Sequence, residues 1–370
     1  MVLLKTLLNK HIDKCYKKYD TVDLRVLDKL KESYYSSRTT EKSLYPLVLF
    51  IIKNSMLHIE AQLDDKTYNK IEEVNDDRVL HIYQLIKKAL IWAVKKNKQI
   101  PNTTLYFWIS DRIPWYDNID EKFPIYVVAK PKNTNFIVFP DNTFECMTMD
   151  EKYNGVCYEW DETAKIIMKK SAEIQMKDKI NQIFFKGTST TKRNSKIREN
   201  LHEYSKNGEW LFINLDGWYA YVSMENFCNY KFLINLPGHY PWSNRLKYLF
   251  LMKSVIINVD VYSFDTQNNI TEPPWISFIN LITKPKKHYI NLKLKFHYSA
   301  NKEEKEKNLK LNNHECIKIY NKLEKIYNND TNKYQEMVNK GYKRVSKLKN
   351  RHVYEYIYEC ILRNSLVKFI

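Results

Sequence analysis

Glycine is scarce in this chain, with six residues in 370. Turns that need a left-handed backbone or a close backbone approach are therefore few. Two of the six, Gly187 and Gly238, fall in the loops that matter most below. The cysteines, at 15, 146, 157, 228, 316 and 360, form no CxxC pair and no Cys/His group with zinc spacing, which argues against a zinc module. Their scatter fits a reducing compartment, with the thiols as small core or surface residues; Cys146 and Cys157 could pair in an exported chain. No apolar run reaches the length of a membrane span. No internal repeat is present. The GxxxxGK[ST] pattern is absent, so the chain is not a P-loop protein. No D-x-D stands at a strand end to hold a metal; Asp76 and Asp77 are adjacent and open a helix.

Positive charge is plentiful. Lys and Arg number 60 against 43 Asp and Glu, for a net +17. Nucleic acid, an anionic membrane face and an anionic substrate would each answer that excess. Lys, Asn, Ile and Tyr are abundant together, as AT-rich coding produces, and the charge is spread along the chain. It does not select a partner by itself. Hydrophobic residues make up 44%, enough for a packed core, and the length allows two domains.

The most informative stretch is 228–260, CNYKFLINLPGHYPWSNRLKYLFLMKSVIINVD. Residues 231–236 read as an apolar strand that Pro237 and Gly238 stop. A polar loop follows. Residues 245–253 are good helix formers, with Ser243 or Asn244 placed to cap them. Residues 255–259 read as a buried strand. Strand, glycine loop, helix, strand is a βαβ unit and implies a parallel sheet. Its loop lies where open α/β sheets bind ligands, the helix start suits an anion, and Arg245 brings a forked permanent charge. An ordinary βαβ unit with Arg245 in a surface ion pair fits the same residues.

Upstream, residues 1–45 read as charged amphipathic helices and 43–60 as containing a strand pair. Residues 76–94 form a strong amphipathic helix with Val79, Ile82, Leu85, Ile86, Leu90 and Ala93 inward. Residues 104–110 are a strand ending in Asp111. An acid just past a strand end is a candidate general base, and an acid near a proline is equally a turn former. Residues 124–130 and 137–144 read as further strands. Residues 160–180 look helical, and 181–185 form a strand running into Lys186-Gly187-Thr188-Ser189 and the basic Lys192-Arg193. A glycine, hydroxyls and cations suit a diphosphate; a basic turn without ligand fits too. Residues 210–215 and 275–281 are apolar strand-like runs. Residues 317–342 and 353–366 read as long helices, and the charge run at 301–310 as an exposed helix start or loop.

Residues 229–259 resemble the signature of glycosyltransferase family 90, which includes capsule-associated proteins, Rumi-like protein O-glucosyltransferases and lipopolysaccharide-modifying transferases. Further elements support the resemblance over about residues 105–300. FFKGTSTTKR at 184–193 is similar to an F-F-R-G-x-x-T-x-x-R element, with Lys186 in place of the usual arginine. Residues 137–144 are similar to a D-I-x-x-P-x-x-T-F element, matched by Pro140, Thr143 and Phe144, with Glu145 where the family has tryptophan. Lys287-His288-Tyr289-Ile290 matches an H-Y-I strand, in which His288 reads as structural. Asp111 matches the family's aspartate, one residue further from the following proline.

The resemblance implies an α/β protein of glycosyltransferase-B type, two Rossmann-like domains facing across a cleft. The boundaries expected are 1–150 for an acceptor-side domain and 151–345 for a UDP-sugar domain. A terminal helix at 346–370 would pack back on the first domain. Lys186, Gly187, Thr188, Ser189, Gly238, Ser243 and Arg245 would hold the donor. Pro140, Thr143, Phe144 and Trp242 would line the acceptor side, and Asp111 would be the base. The implied reaction is inverting and needs no metal and no cofactor beyond the UDP-sugar substrate. A protein, glycan or lipid-linked acceptor would receive glucose or xylose. No nucleic acid and no membrane span are expected. MVLLKTLLNKHIDK has too short an apolar patch for a signal peptide and NSLVKFI is no retention signal, so the expected location is cytoplasmic. Two other readings stand beside this one: a basic nucleic-acid or polyanion-binding protein that uses its many tyrosines for stacking, and a degenerate, non-catalytic transferase.

Overall fold

The computed structural model describes residues 2–36, 46–63, 66–110, 119–148, 156–189, 195–206, 208–215, 223–238, 241–264, 270–297 and 302–370. The chain forms two compact units. One comprises residues 1–146 with 348–370, the other residues 147–347.

The first unit opens with α1 (Val2–Tyr16) and α2 (Arg25–Ser36). Leu4, Leu8, Ile12, Cys15 and Tyr16 recur at helical spacing and form the buried stripe of α1. Strands β1 (Leu47–Lys53) and β2 (Met56–Leu63) follow. Asn54 and Ser55 join them, both left-handed at φ 52° and 63°. Asparagine tolerates that backbone, so the tight hairpin turn forms without glycine. Next come β3 (Lys66–Tyr68), α3 (Asp77–Lys95), β4 (Thr103–Trp108), β5 (Ile125–Val127) and β6 (Ile137–Val138). The sheet order is β3-β2-β1-β4-β5-β6. Its first half is an antiparallel meander, and only the β4–β5 and β5–β6 pairs are parallel. This sheet is mixed, with the strand pair expected within 43–60 as its antiparallel β1–β2 hairpin.

Helix α3 starts where Asp76 caps it, its carboxylate accepting the Arg78 and Val79 N–H groups at 2.9 and 3.2 Å. All six residues expected on its inner face are buried, with Ala89 beside them.

The second unit contains α4 (Trp160–Glu173), β7 (Ile180–Lys186), α5 (Ser195–Ser205), β8 (Leu211–Asn214), β9 (Tyr230–Asn235), α6 (Leu246–Leu249), β10 (Val255–Phe264), β11 (Ile270–Glu272) and β12 (Ile290–His297). Helices α7 (Lys302–Tyr327) and α8 (Gln335–Val345) complete it. Five strands pair in parallel in the order β8-β7-β9-β10-β12. Short β11 adds antiparallel to the end of β10. Strand alternation splits the sheet's side chains between two faces. Ile183, Phe185, Ile213, Phe232 and Ile257 join Ile197 and Leu201 of α5 and Ile319 and Leu323 of α7 in one core. A polar ladder crosses the same sheet: Asn235 donates to Asn258 at 2.7 Å, Asn258 to Asp260 at 2.7 Å, and Asn291 to Asp260 at 2.9 Å. After α8 the chain returns to the first unit as α9 (Asn350–Asn364), packed against α3 and α1.

Several boundaries differ from the sequence reading. The helix expected over 245–253 is a single α-turn, Leu246–Leu249, continued by a 3-10 turn, Phe250–Met252. Lys253 is left-handed at φ 49° and ends it. Burial overrides propensity here, because residues 246–252 are all buried and the segment must turn straight into β10. Within 275–281, only Trp275–Ser277 is extended; Ser277 then starts a short helix, Phe278–Ile282, through a capping box with Asn280. The charge run expected as a helix start or loop does start a helix, α7, from Lys302, whereas the helix expected over 317–342 is broken between Tyr327 and Gln335. The helix at 160–180 stops at Glu173. Cys146 and Cys157 are disulfide-bonded, the alternative that the sequence left open for an exported chain, and so are not the reduced thiols that the scatter of cysteines suggests. Cys15, Cys228, Cys316 and Cys360 are free and buried. His288 is structural as read: its Nδ1 accepts the Lys284 N–H at 2.8 Å.

Lys179 is buried, and its ammonium donates to the Met252 carbonyl at 2.7 Å and to Ser254 Oγ at 2.9 Å. It closes the end of the 3-10 turn that carries the chain into β10. Burial lowers its pKa to about 8. The unfolded chain holds that proton up to about 10.4. Between those values the unfolded state binds more protons, so this lysine makes stability rise with pH. Lys179→Met is expected to remove that rise. Thermal melts of both proteins at pH 7.5 and 9.5 check it: the wild type gains relative to the variant on raising the pH, and parallel shifts would refute the assignment.

Candidate functional site

In the second unit β7 comes first in sequence but lies inside the sheet, between β8 and β9. The connection after β7 leads to one side and the connection after β9 to the other. Such a reversal leaves a crevice beyond the carboxyl ends of the two strands, where open α/β sheets take ligands. Lys186 and Gly187 end one strand, and Asn235 to Gly238 end the other.

Two arginines meet there. The Arg245 guanidinium carbon lies 4.7 Å from the Phe185 ring centroid, and that of Arg198 lies 5.0 Å from the same ring. Phe185 is fully buried, so it serves as a fixed plate for both cations. Arg198, on α5, is itself buried. Its Nη1 donates to the Thr188 carbonyl at 2.7 Å. Its Nε is buried with no partner among the described residues. Burial first, then the like charge of Arg245, lowers its pKa to about 9. It keeps its proton at neutral pH. No carboxylate among the described residues pairs with it. A desolvated cation next to another cation is costly unless an anion completes the group.

Both glycines matter through the side chain they lack. A Cβ on Gly187 would stand 3.0 Å from Phe185 Cζ and 3.2 Å from Arg245 Nη2. A Cβ on Gly238 would stand 3.2 Å from the Trp242 carbonyl oxygen and 3.9 Å from Arg198 Nη2. The main-chain N–H groups of the two glycines themselves are engaged within the fold. Gly187 N donates to the Asn214 carbonyl at 3.1 Å and Gly238 N to the Trp242 carbonyl at 2.9 Å. The helix-start argument is corrected, since α6 has four residues and so short a helix carries little dipole. The attraction for an anion therefore rests on side chains.

The remaining expected residues separate into groups. Ser243 is half-buried, and its Oγ accepts the Arg245 N–H at 3.3 Å, fixing the start of the arginine's segment. Trp242 is half-buried and holds Gly238 through its carbonyl. Thr188 accepts from Arg198, and Ser189 Oγ donates to Glu199 at 2.6 Å. Lys186 does not lie with the arginines. Alternation puts it on the Phe184 face of β7, where it lines a different cavity. In the first unit Pro140, Thr143 and Phe144 are all buried. Asp141 Oδ1 accepts the Thr143 N–H at 3.1 Å and its hydroxyl at 2.5 Å. Phe144 is 1% exposed and packs in that unit's core near α3. Glu145 pairs with Lys88 at 2.5 Å, so the acid that stands in place of tryptophan is engaged in an ion pair. Asp111 and residues 190–194 lie outside the described residues.

Sequence reading missed Arg198. The available signal was its place in SKIRENL, where Ile197 and Leu201 mark a buried stripe and an arginine adjoins it. A buried arginine near a strand-end glycine is a candidate anion ligand.

A parallel α/β sheet with two arginines at its switch point has the side-chain chemistry that suits a phosphorylated ligand. The chain belongs to glycosyl transferase family 90, whose family model matches residues 61–364. It is thus an enzyme of sugar transfer that uses a UDP-sugar. A comparison with curated proteins finds no match. No helix among the described residues is long and apolar enough to cross a membrane.

Proposed function

We propose that this transferase binds the diphosphate of a UDP-sugar at the β7/β9 switch point and transfers glucose or xylose with inversion. The observation that carries the reading is the pair of guanidiniums, Arg198 and Arg245, set against the Phe185 ring. Two forked cations suit the oxygens of two adjacent phosphates. Gly187 and Gly238 let them approach, and Ser243 and Trp242 fix the loop that carries Arg245. Thr188 positions Arg198, and Ser189 holds the turn through Glu199.

In the proposed reaction an acceptor hydroxyl oxygen bonds to the anomeric carbon from the face opposite the leaving group. The bond from that carbon to the phosphate oxygen breaks, and its electron pair leaves with UDP. The hydroxyl proton passes to the Asp111 carboxylate. The arginines stabilise the charge that gathers on the departing diphosphate. Cationic side chains can serve this role without a metal, so metal-independent transfer is part of the proposal. The glycosyltransferase-B type, an acceptor-side role for the first unit with Pro140, Thr143 and Phe144, and a protein, glycan or lipopolysaccharide-like acceptor complete it.

The test is UDP release over a panel of UDP-sugars with wild type, Arg245→Ala and Asp111→Asn. One donor is expected to turn over, with loss of about 100-fold or more in Arg245→Ala. Asp111→Asn should keep donor binding and lose turnover. Equal rates in all three proteins would refute the reading.

A further inference from the structure

A second cavity of about 440 Å³ opens on the other face of β7 in the second unit. Its lining is Phe184, Lys186, Phe212, Asn214, Asn226, Asn229 and Tyr230. Neither arginine of the pair contributes to it. The aromatic side chains form an ordered wall. Phe184 and Tyr230 stack face to face at 3.9 Å with planes 7° apart, and Phe212 lies 5.7 Å from Phe184 with planes 26° apart. Phe212 sits on the edge strand β8 and is 41% exposed. Its neighbours Leu211 and Ile213 point into the core, so alternation forces it outward.

Polar groups complete the cavity. The carboxamides of Asn226 and Asn229 make no hydrogen bond among the described residues, and the Lys186 ammonium has no carboxylate partner there. A carboxamide donates from its nitrogen and accepts at its oxygen. An aromatic wall beside unspent carboxamides and an ammonium matches the two sides of a pyranose: an apolar C–H face to lie on a ring, and an equatorial rim of hydroxyls that both donate and accept. A chain that moves sugars meets a second saccharide whenever its acceptor is a glycan. We propose that this cavity is a saccharide subsite, separate from the arginine pair, which holds a pyranose unit of a glycan acceptor. The proposal rests on the transferase reading for the source of that saccharide.

The edge position has a further consequence. A ligand stacked on Phe212 touches neither the Phe185 plate nor the arginines. Occupancy of the cavity and binding of UDP are then separable by mutation. Phe212→Ala removes a ring that is 41% exposed on an edge strand, and the variant's thermal melt checks that the fold is retained. Asn226→Ala removes an exposed carboxamide from a 3-10 turn.

Saturation-transfer NMR on the full chain tests this with maltose, cellobiose, xylobiose, glucuronic acid and uridine as probes. UDP affinity is measured in parallel by calorimetry. At least one saccharide is expected to receive saturation from the wild type. Its affinity is expected to fall by about tenfold or more in Phe212→Ala and in Asn226→Ala, with UDP affinity unchanged in both. No saccharide bound by the wild type overturns the proposal. So does uridine displacing the saccharide, which would make the cavity a base pocket, or a saccharide signal indifferent to both variants. Failure of the donor reading appears separately, as absence of UDP binding to the wild type.

Discussion

Arg198→Met is expected to lower UDP affinity about 100-fold while leaving the ligand-free protein at least as stable as wild type. The two halves of that expectation have one cause. Arg198 is a buried cation whose Nε has no partner, and Arg245 on the same ring opposes its charge. Methionine is close in volume, fills the space against Phe185 and removes the repulsion. The loss is one donor to the Thr188 carbonyl, a half-exposed residue at a strand end. Replacing a buried charge by a packed apolar group is often neutral or stabilising. With UDP bound the balance reverses, because removing one member of a desolvated charge pair costs on the order of 2–5 kcal/mol. Thermal melts with and without UDP check both halves. The wild type should gain stability on adding UDP, and Arg198→Met should gain almost none. A variant that melts well below wild type and still responds to UDP would mean that Arg198 serves the fold alone. Arg198→Lys separates charge from fork: it keeps the cation, loses the planar two-pronged donor, and should recover only part of the affinity.

Gly341→Val is expected to cost about 3 kcal/mol or more of stability. Gly341 lies within α8, where glycine is normally unfavourable and alanine would gain about 1 kcal/mol. A Cβ there would stand 2.9 Å from the His288 carbonyl oxygen and 2.9 Å from Phe250 Cδ1. The carbonyl is backbone, placed one residue before the fully packed Tyr289, and cannot step aside cheaply. Phe250 belongs to the 3-10 turn that feeds β10 and is 1% exposed. Overpacking at both contacts outweighs the helix-propensity gain, so Gly341→Ala should destabilise too, by less than valine. Denaturant melts of the three proteins order the effects as glycine, alanine, valine. An alanine variant more stable than wild type would show that α8 can shift away from the turn at little cost.

Much of the fold is legible in the sequence because its signals are local. The apolar runs 231–236 and 255–259, with Pro237-Gly238 between, announce a strand, a loop and a parallel neighbour. Val79 to Ala93 announce one helix face through spacing alone. The site is legible only in part. Arg245 stands out because it follows the glycine loop in sequence. Arg198 reaches the same ring from a different helix, and only the packing of α5 over β7 brings it there. Lys186 and Gly187 are adjacent in sequence, yet strand alternation sends the lysine side chain to the opposite face from Phe185. A motif read as one string is divided by the pleat between the two faces of the sheet. Phe212 shows the same limit: LFIN reads as an apolar strand, and only the sheet order shows that it is an edge. The short helix after Arg245 escapes propensity because seven successive buried residues, 246–252, leave the segment no solvent face.

The central claim is that Arg198 and Arg245 on Phe185 hold the diphosphate of the donor. The most direct measurement is a phosphorus NMR titration of UDP with wild type, Arg198→Met and Arg245→Met at equal protein concentration. Both phosphorus resonances should shift or broaden with wild type, and each variant should need about 100-fold more protein for the same change. If both variants perturb the two resonances as the wild type does, the diphosphate binds elsewhere and the site assignment is wrong.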